Sequence, residues 1–506
     1  MRLPRLSERP LHTDEAIHAV KLGEILEHNG YRYDRYEYHG PTLNYFTLPL
    51  AWLRGQFTFS QLDEYTLRVV PVCFGLLLVL LLLPLVRYLE KPLLLMAAVL
   101  TALSPIMVFY SRYYIMEILL TAFTFGVIVS AFLYLRTRKS GWAVSTGVFM
   151  GLMHATKETC ILVWGVMVLS LLPFIFSHRA QVKGFWSGLN KKHLWTGLFA
   201  GLAVSMLFFS SFGANPRGIV DSFLTFTNYF HKAGDFEIHI YPWYWYFQIL
   251  LYNPSPMGVN WTEIFILLMS LFGFYAVFFN KLSGANDTGL LRYLAYYTLL
   301  LTLVYSVIPY KTPWIALGFW HGFILMAAVG IVFVYRFLKN RMLRYAFTIF
   351  MTIGILHLFW LSFVTNFEYM DNPYNPWVFS HPGKDVFTIE ERVREVARCH
   401  PDGMDMRIDV ICPGGDYWPL PWYLRQFPNV GWWTEVDMNS QPAPVILISP
   451  ALEADLAVKL YELPPPGQRE LYMPLFDDYV ELRPTVEIRG YVVKPLFDAF
   501  YYQHEP

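Results

Sequence analysis

The stretch LRVVPVCFGLLLVLLLLPLVRYL, residues 67–89, decides the fold class of this 506-residue chain. A helix needs about 20 predominantly apolar residues to cross the hydrocarbon core of a bilayer, and this stretch is long enough. Nine similar stretches follow it, so that ten spans are expected at about 67–89, 93–110, 113–135, 142–156, 158–177, 194–212, 262–279, 290–308, 314–335 and 345–364. With 55% hydrophobic and 15% charged residues, the composition predicts a polytopic α-helical membrane protein.

The distribution of charge predicts the orientation of these spans. Lysine plus arginine balances aspartate plus glutamate at 39 each, so no net charge points to nucleic acid as a partner. The basic residues occupy alternate connections: Arg87 and Lys91; Arg136, Arg138 and Lys139; Arg179, Lys183, Lys191 and Lys192; Lys281 and Arg292; Arg336, Lys339, Arg341 and Arg344. The positive-inside rule assigns these connections to the cytoplasm, and it places residues 1–66, the loop at 213–261 and everything after about 365 outside.

Three regions follow from this orientation. Residues 1–66 form a first extracytoplasmic loop whose amphipathic helix, at about 14–28, is expected to lie on the membrane surface. Because this loop precedes the first span, we expect a transmembrane helix to be missing before it; direct translocation of the short polar segment is the alternative. The transmembrane domain covers residues 67–365.

The remaining region, 366–506, has the patterns of a small extracytoplasmic α/β domain. TIEE at 388–391 predicts a helix through Cys399, whereas RIDVIC at 407–412 and PVILISP at 444–450 predict strands. Cys399 and Cys412 could pair in an oxidising compartment. Acceptor recognition, a lid over the membrane site and structural support all remain open as its role.

Ionisable residues near the spans predict a single hydrophilic site at the outer side. Charged groups within a membrane are costly and usually face an aqueous cavity. Here they lie in outer halves or outer turns: Arg112, Glu117, His154, Lys157, Glu158, Lys311 and His321. A transporter would need polar groups near the midplane, and few are found there.

The first loop contains the most concentrated chemistry, in HTDEAIHA at 12–19. Asp14 and Glu15 could simply begin a helix, with Thr13 as its N-cap. His12, Asp14 and His18 are also metal-ligand types, so a divalent metal is possible, although no further ligands complete the pattern. Tyrosine-rich residues at 31–46 and HIYPWYWYFQILLY at 239–252 suit either sugar stacking or an interfacial aromatic belt.

Four motifs together resemble the GT-C superfamily of membrane glycosyltransferases: RPLHTDEAIHA, YHGPTLNYF, ATKET and IPYKTPW. The resemblance covers residues 8–365 and is greatest to protein O-mannosyltransferase-like and aminoarabinose-transferase-like enzymes. More narrowly, the motifs are similar to an archaeal and bacterial group described as flippase-activity-associated proteins. The sequence departs from the family in its missing first span, and its turn reads His-Gly-Pro where a double proline is common.

The resemblance implies transfer of a sugar from a polyprenyl-phosphate donor, such as dolichyl phosphate, at the extracytoplasmic face of the cell membrane. Asp14 would be the base or acceptor-positioning group, with Glu15 as its companion and Glu117 as a second acid. Cations could stabilise the departing phosphate, and substrate contacts complete the expected site. The residues expected to contact the donor phosphate are Arg112, Lys157, Tyr310 and Lys311. Those expected to contact the rest of the substrate are Glu37, His39, Glu158, His239 and Trp243.

The partners implied are the membrane, the lipid-linked sugar and a glycan, lipid or protein acceptor, with no certain cofactor. Direct displacement would invert the anomeric carbon. The alternative function is a non-catalytic membrane factor that binds lipid-linked glycans and assists their translocation, since a fold does not by itself define a function.

Overall fold

A computed structural model of the chain describes residues 1–28, 31–36, 39–177, 189–232, 239–282 and 284–504. The first part is helical: α1 Thr13–His28, α2 Thr42–Leu53, α3 Glu64–Leu80, α4 Lys91–Leu103, α5 Pro105–Tyr110, α6 Glu117–Thr137, α7 Ser140–His154, α8 Cys160–Leu169, α9 Leu172–Ser177, α10 Lys191–Phe209, α11 Arg217–Lys232, α12 Trp245–Leu251, α13 Ile264–Phe278, α14 Thr288–Val307, α15 Leu317–Phe337 and α16 Arg341–Phe363. Every predicted span coincides with one or two of these helices.

Among the described residues, six helical segments are long and apolar enough to cross a membrane. They are Glu64–Arg87, Glu117–Thr137, Lys191–Phe209, Thr288–Val307, Pro313–Phe337 and Arg341–Glu368. Three shorter apolar helices accompany them at Lys91–Leu103, Cys160–Phe176 and Ile264–Phe278. This confirms the polytopic helical membrane fold predicted from the hydrophobic stretches.

Glycines allow two pairs of helices to pack unusually closely. A Cβ atom on Gly147 of α7 would lie 1.8 Å from the carbonyl oxygen of Gly197 in α10. A Cβ atom on Gly273 of α13 would lie 1.9 Å from the carbonyl oxygen of Met326 in α15. Such contacts are typical of helices that associate in lipid, where close backbone packing replaces hydrophobic burial as the driving force.

Alternate connections meet at opposite ends of the helix bundle, as the charge pattern predicts. At the end that we call the basic end, the Asp287 amide donates to the Tyr88 carbonyl over 2.8 Å. There Arg336 also pairs with Glu90 at 2.7 Å, and Arg136 pairs with Asp287. The opposite end, which we call the site end, comprises the described residues of 1–62 together with the connections at 104–116, 155–159 and 308–316.

The described strands are β1 Asn253–Pro254, β2 Asn260–Trp261, β3 Ile408–Ile411, β4 Val430–Trp433, β5 Val445–Ile448, β6 Tyr472–Pro474, β7 Glu481–Arg483, β8 Val486–Glu487 and β9 Arg489–Val493. Five of the strands after α16 form a mixed sheet in the order β4-β3-β5-β9-β6. β3 is parallel to β4 and β5, whereas β9 is antiparallel to β5 and β6. Helices of this region are α17 Asp385–Cys399, α18 Leu420–Tyr423, α19 Glu453–Ala457 and α20 Lys494–His504.

Three details differ from the sequence predictions. The helix expected to begin at the TIEE capping box begins earlier, at Asp385, so Thr388 lies inside it. Cys399 and Cys412 are both free thiols rather than a disulfide. The apolar face of α1 packs within the protein, where Gly23 lies against Phe59, and it is not free to lie on the membrane.

The C-terminal sheet region contacts the first loop at two places, near Leu11 and near Leu62. The Leu11 amide donates to the Tyr423 hydroxyl over 2.8 Å. The Trp422 indole donates to Glu64 over 2.8 Å, and Arg425 donates to the Leu62 carbonyl over 3.1 Å. The HTDE stretch is therefore enclosed between the helix bundle and the sheet region.

Candidate active site

The HTDE stretch begins α1, and His12 rather than Thr13 caps it. The Asp14 amide donates to Nδ1 of His12 over 3.1 Å, and the His12 amide donates to the Glu15 carboxylate over 3.1 Å. This is a variant of the capping box, in which an imidazole replaces the usual hydroxyl and accepts from the amide of the second helical residue rather than the third. The expectation that Thr13 is the N-cap was wrong, because Thr13 is already the first helical residue.

Glu15 is fully buried, and other groups of the protein occupy both of its oxygens. Arg68 donates to them over 2.8 and 2.7 Å, the Tyr114 amide donates over 2.8 Å, and Arg9 lies at 3.4 Å. Burial alone would raise the pKa of Glu15, but the charges of Arg68 and Arg9 outweigh it and hold the pKa well below its usual range. The carboxylate therefore stays ionised and ties α1 to α3 and to the 112–114 turn.

Asp14, the next residue back, is placed very differently. Its side chain is 42% exposed, and its carboxylate lies 3.9 Å from Nδ1 of His12. The charge of Asp14 acts on His18, one turn along α1, and on His239 of the loop after α11. Of the two adjacent acids, Asp14 is the one that a substrate can reach.

His18 marks the point where three predicted site residues converge. Burial is the main cause that lowers the pKa of His18 to about 4, and the charges of His39, Asp14 and Lys157 all act on it. The His18 and His39 rings lie 6.4 Å apart. His18 is thus neutral at physiological pH and lies within electrostatic reach of three predicted site residues from different parts of the chain.

The His-Gly-Pro turn docks directly onto the ATKET segment. The Gly40 amide donates to the Thr156 carbonyl over 3.1 Å, and a Cβ on Gly40 would lie 2.2 Å from the Ala155 oxygen. Nδ1 of His39 lies 2.8 Å from the Glu158 carboxylate, which also accepts from the Tyr33 hydroxyl over 3.2 Å. Only glycine fits at position 40, because the two backbones touch there. Glu37, also expected in the site, lies outside the described residues.

Glu117 and Lys157 form a buried ion pair 2.5 Å long where α6 meets the ATKET turn. A small cavity with about 30 Å³ of solvent-reachable space lies beside them, lined also by Tyr297, Tyr305 and Trp314. That is room for about one water molecule. Glu117 thus neutralises the lysine that was expected to contact the donor phosphate.

The IPYKTPW connection pairs with the start of the aromatic loop. The Lys311 amide donates to the His239 carbonyl over 3.0 Å, and the His239 and Tyr310 rings lie 5.8 Å apart. The buried Lys311 ammonium donates to the Ile308 carbonyl and lies 5.9 Å from the Tyr246 ring centre. Trp243, by contrast, is 65% exposed.

Arg112 is engaged away from this group. Its guanidinium donates to the carbonyl oxygens of Met1 and Pro4 over 2.8 and 2.7 Å and also contacts those of Arg2 and Arg5. The cation therefore anchors the N-terminal segment to the end of α5. Contact with a donor phosphate would require the guanidinium to leave some of these carbonyl oxygens.

For a metal, the structure offers no ligand set among the residues that it describes: no group of three or more His, Cys, Asp or Glu side chains there is placed to hold an ion. His12 uses Nδ1 as the helix cap, and His18 is buried.

The sequence analysis missed several residues that shape the site. Arg68 is the partner of Glu15, and it is a lone cation at the start of the first apolar stretch. Glu263 is a buried carboxylate that accepts from Ser104, the Ile106 amide and Trp320 over 2.6, 2.8 and 2.9 Å. In both cases the available signal was an ionisable residue at the edge of a hydrophobic span. His381, described below, carried no such signal.

Comparison with known proteins agrees with this architecture. Residues 38–215 match the family described as dolichyl-phosphate-mannose-protein mannosyltransferase. No curated protein matches the chain.

Solved structures match nearly the whole chain. ArnT from Cupriavidus metallidurans in the apo state is 14% identical, with a TM-score of 0.60, over 96% of this chain and 94% of that one. The same protein bound to undecaprenyl phosphate gives a TM-score of 0.59, at 14% identity over 96% and 95% of the two chains. AglB from Archaeoglobus fulgidus, in complex with an inhibitory peptide and a dolichol-phosphate, is 12% identical over 91% of this chain and 68% of that one, with a TM-score of 0.55. The chain has the GT-C fold of these membrane proteins.

Proposed function

We propose that this chain is a membrane glycosyltransferase that moves a sugar from a polyprenyl-phosphate donor to an acceptor at the extracytoplasmic face. The observation that carries the proposal is the contrast between the two adjacent acids. Glu15 is buried and fully paired, whereas Asp14 is accessible and lies within electrostatic reach of His18 and His239 at the site end. The side chains of His12 and Glu15 already cap α1, so the cap does not need the Asp14 carboxylate.

In the proposed reaction, one displacement transfers the sugar. The Asp14 carboxylate accepts the proton of an acceptor hydroxyl as the oxygen of that hydroxyl attacks the anomeric carbon of the donor sugar. The bond from that carbon to the phosphate oxygen breaks, and the electron pair leaves with the lipid phosphate. One displacement inverts the configuration at the anomeric carbon.

Lys157 and Lys311 are the cations that we assign to the departing phosphate. In the structure Lys157 is paired with Glu117, so phosphate binding would exchange one anionic partner for another. His39, Glu158 and His239 are assigned to substrate contacts, because His39 pairs with Glu158 beside the ATKET turn and the charge of Asp14 acts on His239. Trp243, with most of its ring exposed, is assigned to the outer edge of the acceptor path.

The lipid-bound relatives support the donor class. One ArnT structure holds undecaprenyl phosphate and the AglB structure holds a dolichol-phosphate, and the matching family is described by a dolichyl-phosphate-mannose donor. The membrane orientation follows from the basic end, which the positive-inside rule assigns to the cytoplasm.

Asp14→Asn tests the proposal in membranes that contain the full chain. With a panel of labelled polyprenyl-phosphate sugars, we expect label to leave the lipid fraction for one donor and the variant to lower that rate by about 10²–10⁴-fold. Donor binding should be retained. Glu24→Gln is the matched control, since Glu24 is an exposed acid on the same helix that pairs with Lys21.

The translocation-factor alternative predicts another result. All donors would then remain intact with wild-type protein, although one would bind specifically. Transfer that survives in Asp14→Asn would instead remove Asp14 from the reaction while leaving the enzyme assignment in place.

A further inference from the structure

Behind the HTDE stretch, three aromatic side chains from distant parts of the chain form a compact triangle. The ring centres of His12 and Tyr113 are 5.6 Å apart, and those of His12 and His381 are 5.8 Å apart. The third side, between Tyr113 and His381, is also 5.8 Å. All three residues are buried. His381 comes from the segment that leads from the helix bundle to the sheet region.

Each side chain presents one polar atom that has no hydrogen-bond partner in the described part of the chain. These atoms, which we call the open atoms, are Nε2 of His12, the hydroxyl oxygen of Tyr113 and Nε2 of His381. A buried polar group left without a partner costs about 1–3 kcal/mol. These atoms belong to three side chains whose ring centres lie within 5.8 Å of one another, so one shared partner could satisfy all of them.

The hydrogen bond made by the other nitrogen of each histidine ring determines whether the open nitrogen is a donor or an acceptor. Nδ1 of His12 accepts from the Asp14 amide, so the proton of the neutral ring is on Nε2, and that open atom is a donor. Nδ1 of His381 lies 2.9 Å from the Pro382 carbonyl, which can only accept. The His381 proton is therefore on Nδ1, and its open atom is an acceptor.

The triangle thus holds one donor, one acceptor and one hydroxyl that can act as either. A single oxygen that bears hydrogen satisfies all three, because it can accept from His12, donate to His381 and bond to Tyr113. Buried water molecules typically make about three hydrogen bonds of this kind. The Phe379 backbone also interacts with the His12 ring, but no bond from it to Nε2 meets full hydrogen-bond geometry.

We propose that His12, Tyr113 and His381 bind one hydroxyl-type oxygen, and that this oxygen holds His12 in the orientation that caps α1 and places Asp14. The oxygen belongs either to a water molecule or to a hydroxyl group of a substrate. Tyr113 and His381 are then positioning residues for Asp14, a role that rests on the proposed function. The segment after the last span would take part in the site rather than only support it.

A double-substitution cycle on the full chain in detergent tests the shared oxygen without any assay of activity. Tyr113→Phe and His381→Phe each keep a ring and remove one open atom, and each should lower the melting temperature by on the order of 2 °C. The double variant should fall no further than the worse single variant, because either loss already releases the oxygen. A double variant that shows the sum of both shifts overturns the proposal.

Tyr110→Phe supplies the matched control. Tyr110 also lies beside Tyr113, with ring centres 5.5 Å apart, but its hydroxyl donates directly to the Trp377 carbonyl over 2.9 Å. Combined with His381→Phe, it should give additive shifts. Coupling of equal size in this control pair would show that ring packing alone causes the effect, and would also overturn the proposal.

Steady-state kinetics then show whether the shared oxygen belongs to water or to a substrate. The donor used is the one whose sugar transfer depends on Asp14. A water molecule predicts that Tyr113→Phe lowers kcat about tenfold and leaves KM unchanged. A substrate hydroxyl predicts that KM for that substrate rises about tenfold, and that a deoxy analogue no longer distinguishes the variant from wild type. If no donor is used at all, the proposed function fails while the melting cycle still decides whether the oxygen site exists.

Discussion

At the scale of single residues, Asp14 and Glu15 show how one peptide bond separates two roles. Successive residues of a helix point about 100° apart, so one carboxylate can turn into the protein while its neighbour faces the site. Glu15 turns inward to Arg68, and Asp14 remains accessible. The environment of each acid is therefore set by its position on the helix: position 15 faces Arg68, and position 14 faces the site.

Glu15→Gln should destabilise the chain strongly while Asp14→Asn should not. Loss of the Glu15 charge leaves Arg68 and Arg9 buried without their counter-ion, and removal of one partner of a buried pair costs about 3–5 kcal/mol. Thermal unfolding in detergent measures the difference. Glu8→Gln, at an exposed pair with Arg5, is the control and should change little.

The pH dependence of this contribution has a definite sign. Because the folded pKa of Glu15 is lowered from 4.5, its contribution is full above that value and is lost as the pH falls below it. Wild type should therefore lose more stability than Glu15→Gln when the pH is lowered below 4.5. Equal slopes would show that the carboxylate is not held ionised.

The titration of His18 predicts that stability is also lost on acidification, over a pH range that lies above that of Glu15. Its pKa in the folded chain is about 4, below the ordinary 6.5, so the unfolded chain binds the proton first. Stability should be full above pH 6.5 and should decrease as the pH falls toward 4. His18→Gln should make this decrease shallower in a series of melting curves. Some slope should remain, because burial also lowers the pKa of His12 and His381.

At the scale of elements, close helix contact depends on glycine at few positions. Hydrophobic length predicted α7 and α10 as helices, but their pairing depends on backbone contact between Gly147 and Gly197. The sequence carries the small-xxx-small spacing of Gly147 with Gly151 and of Gly197 with Gly201. It does not say which helix pairs with which, because the spacing is the same in both.

Gly147→Ala should separate these helices and lower the melting temperature by several degrees. Even a methyl group would overlap the Gly197 carbonyl, and overpacking typically costs about 1–3 kcal/mol. Gly165→Ala in α8 is the matched control, since nothing lies within 4 Å of its added Cβ atom. That control should be neutral. A neutral result for Gly147→Ala would contradict the close packing of α7 on α10.

At the scale of the whole molecule, the bundle has a basic end and a site end. The positive-inside rule predicts that the basic end faces the cytoplasm. The connections of the basic end are joined by Arg336–Glu90 and Arg136–Asp287. The site end carries the first loop and the sheet region, which Tyr423 and Trp422 hold together. The described residues of the proposed site therefore lie at one end of the bundle.

Single-cysteine labelling of intact cells tests this orientation. In a chain whose four cysteines are replaced, Ser60→Cys reports the site end and Ser140→Cys reports the basic end; both serines are exposed. An impermeant maleimide should label the first in intact cells and the second only after permeabilisation. The reverse pattern would place the site in the cytoplasm and exclude the proposed extracytoplasmic reaction.

Much of the site could be predicted from residue type and local spacing. Asp14 and His39 belong to recognisable motifs, and Lys157 and Glu158 stand out as charges between apolar stretches. The partners could not be predicted, because Glu117–Lys157 and His39–Glu158 join residues far apart in the chain. His381 was missed for the same reason: a histidine in a polar segment carries no signal until folding places it against His12.

The sequence by itself determined the helical membrane class, the grouping of the described basic connections at one end and the acidic helix start, because hydrophobic length, charge and capping are local properties. Only the tertiary structure decided which acid is buried, which cations are already paired and which histidines meet. Those outcomes depend on contacts among α1, α3, the 112–114 turn and the segment around His381. Such contacts form only when the bundle and the sheet region close on the first loop.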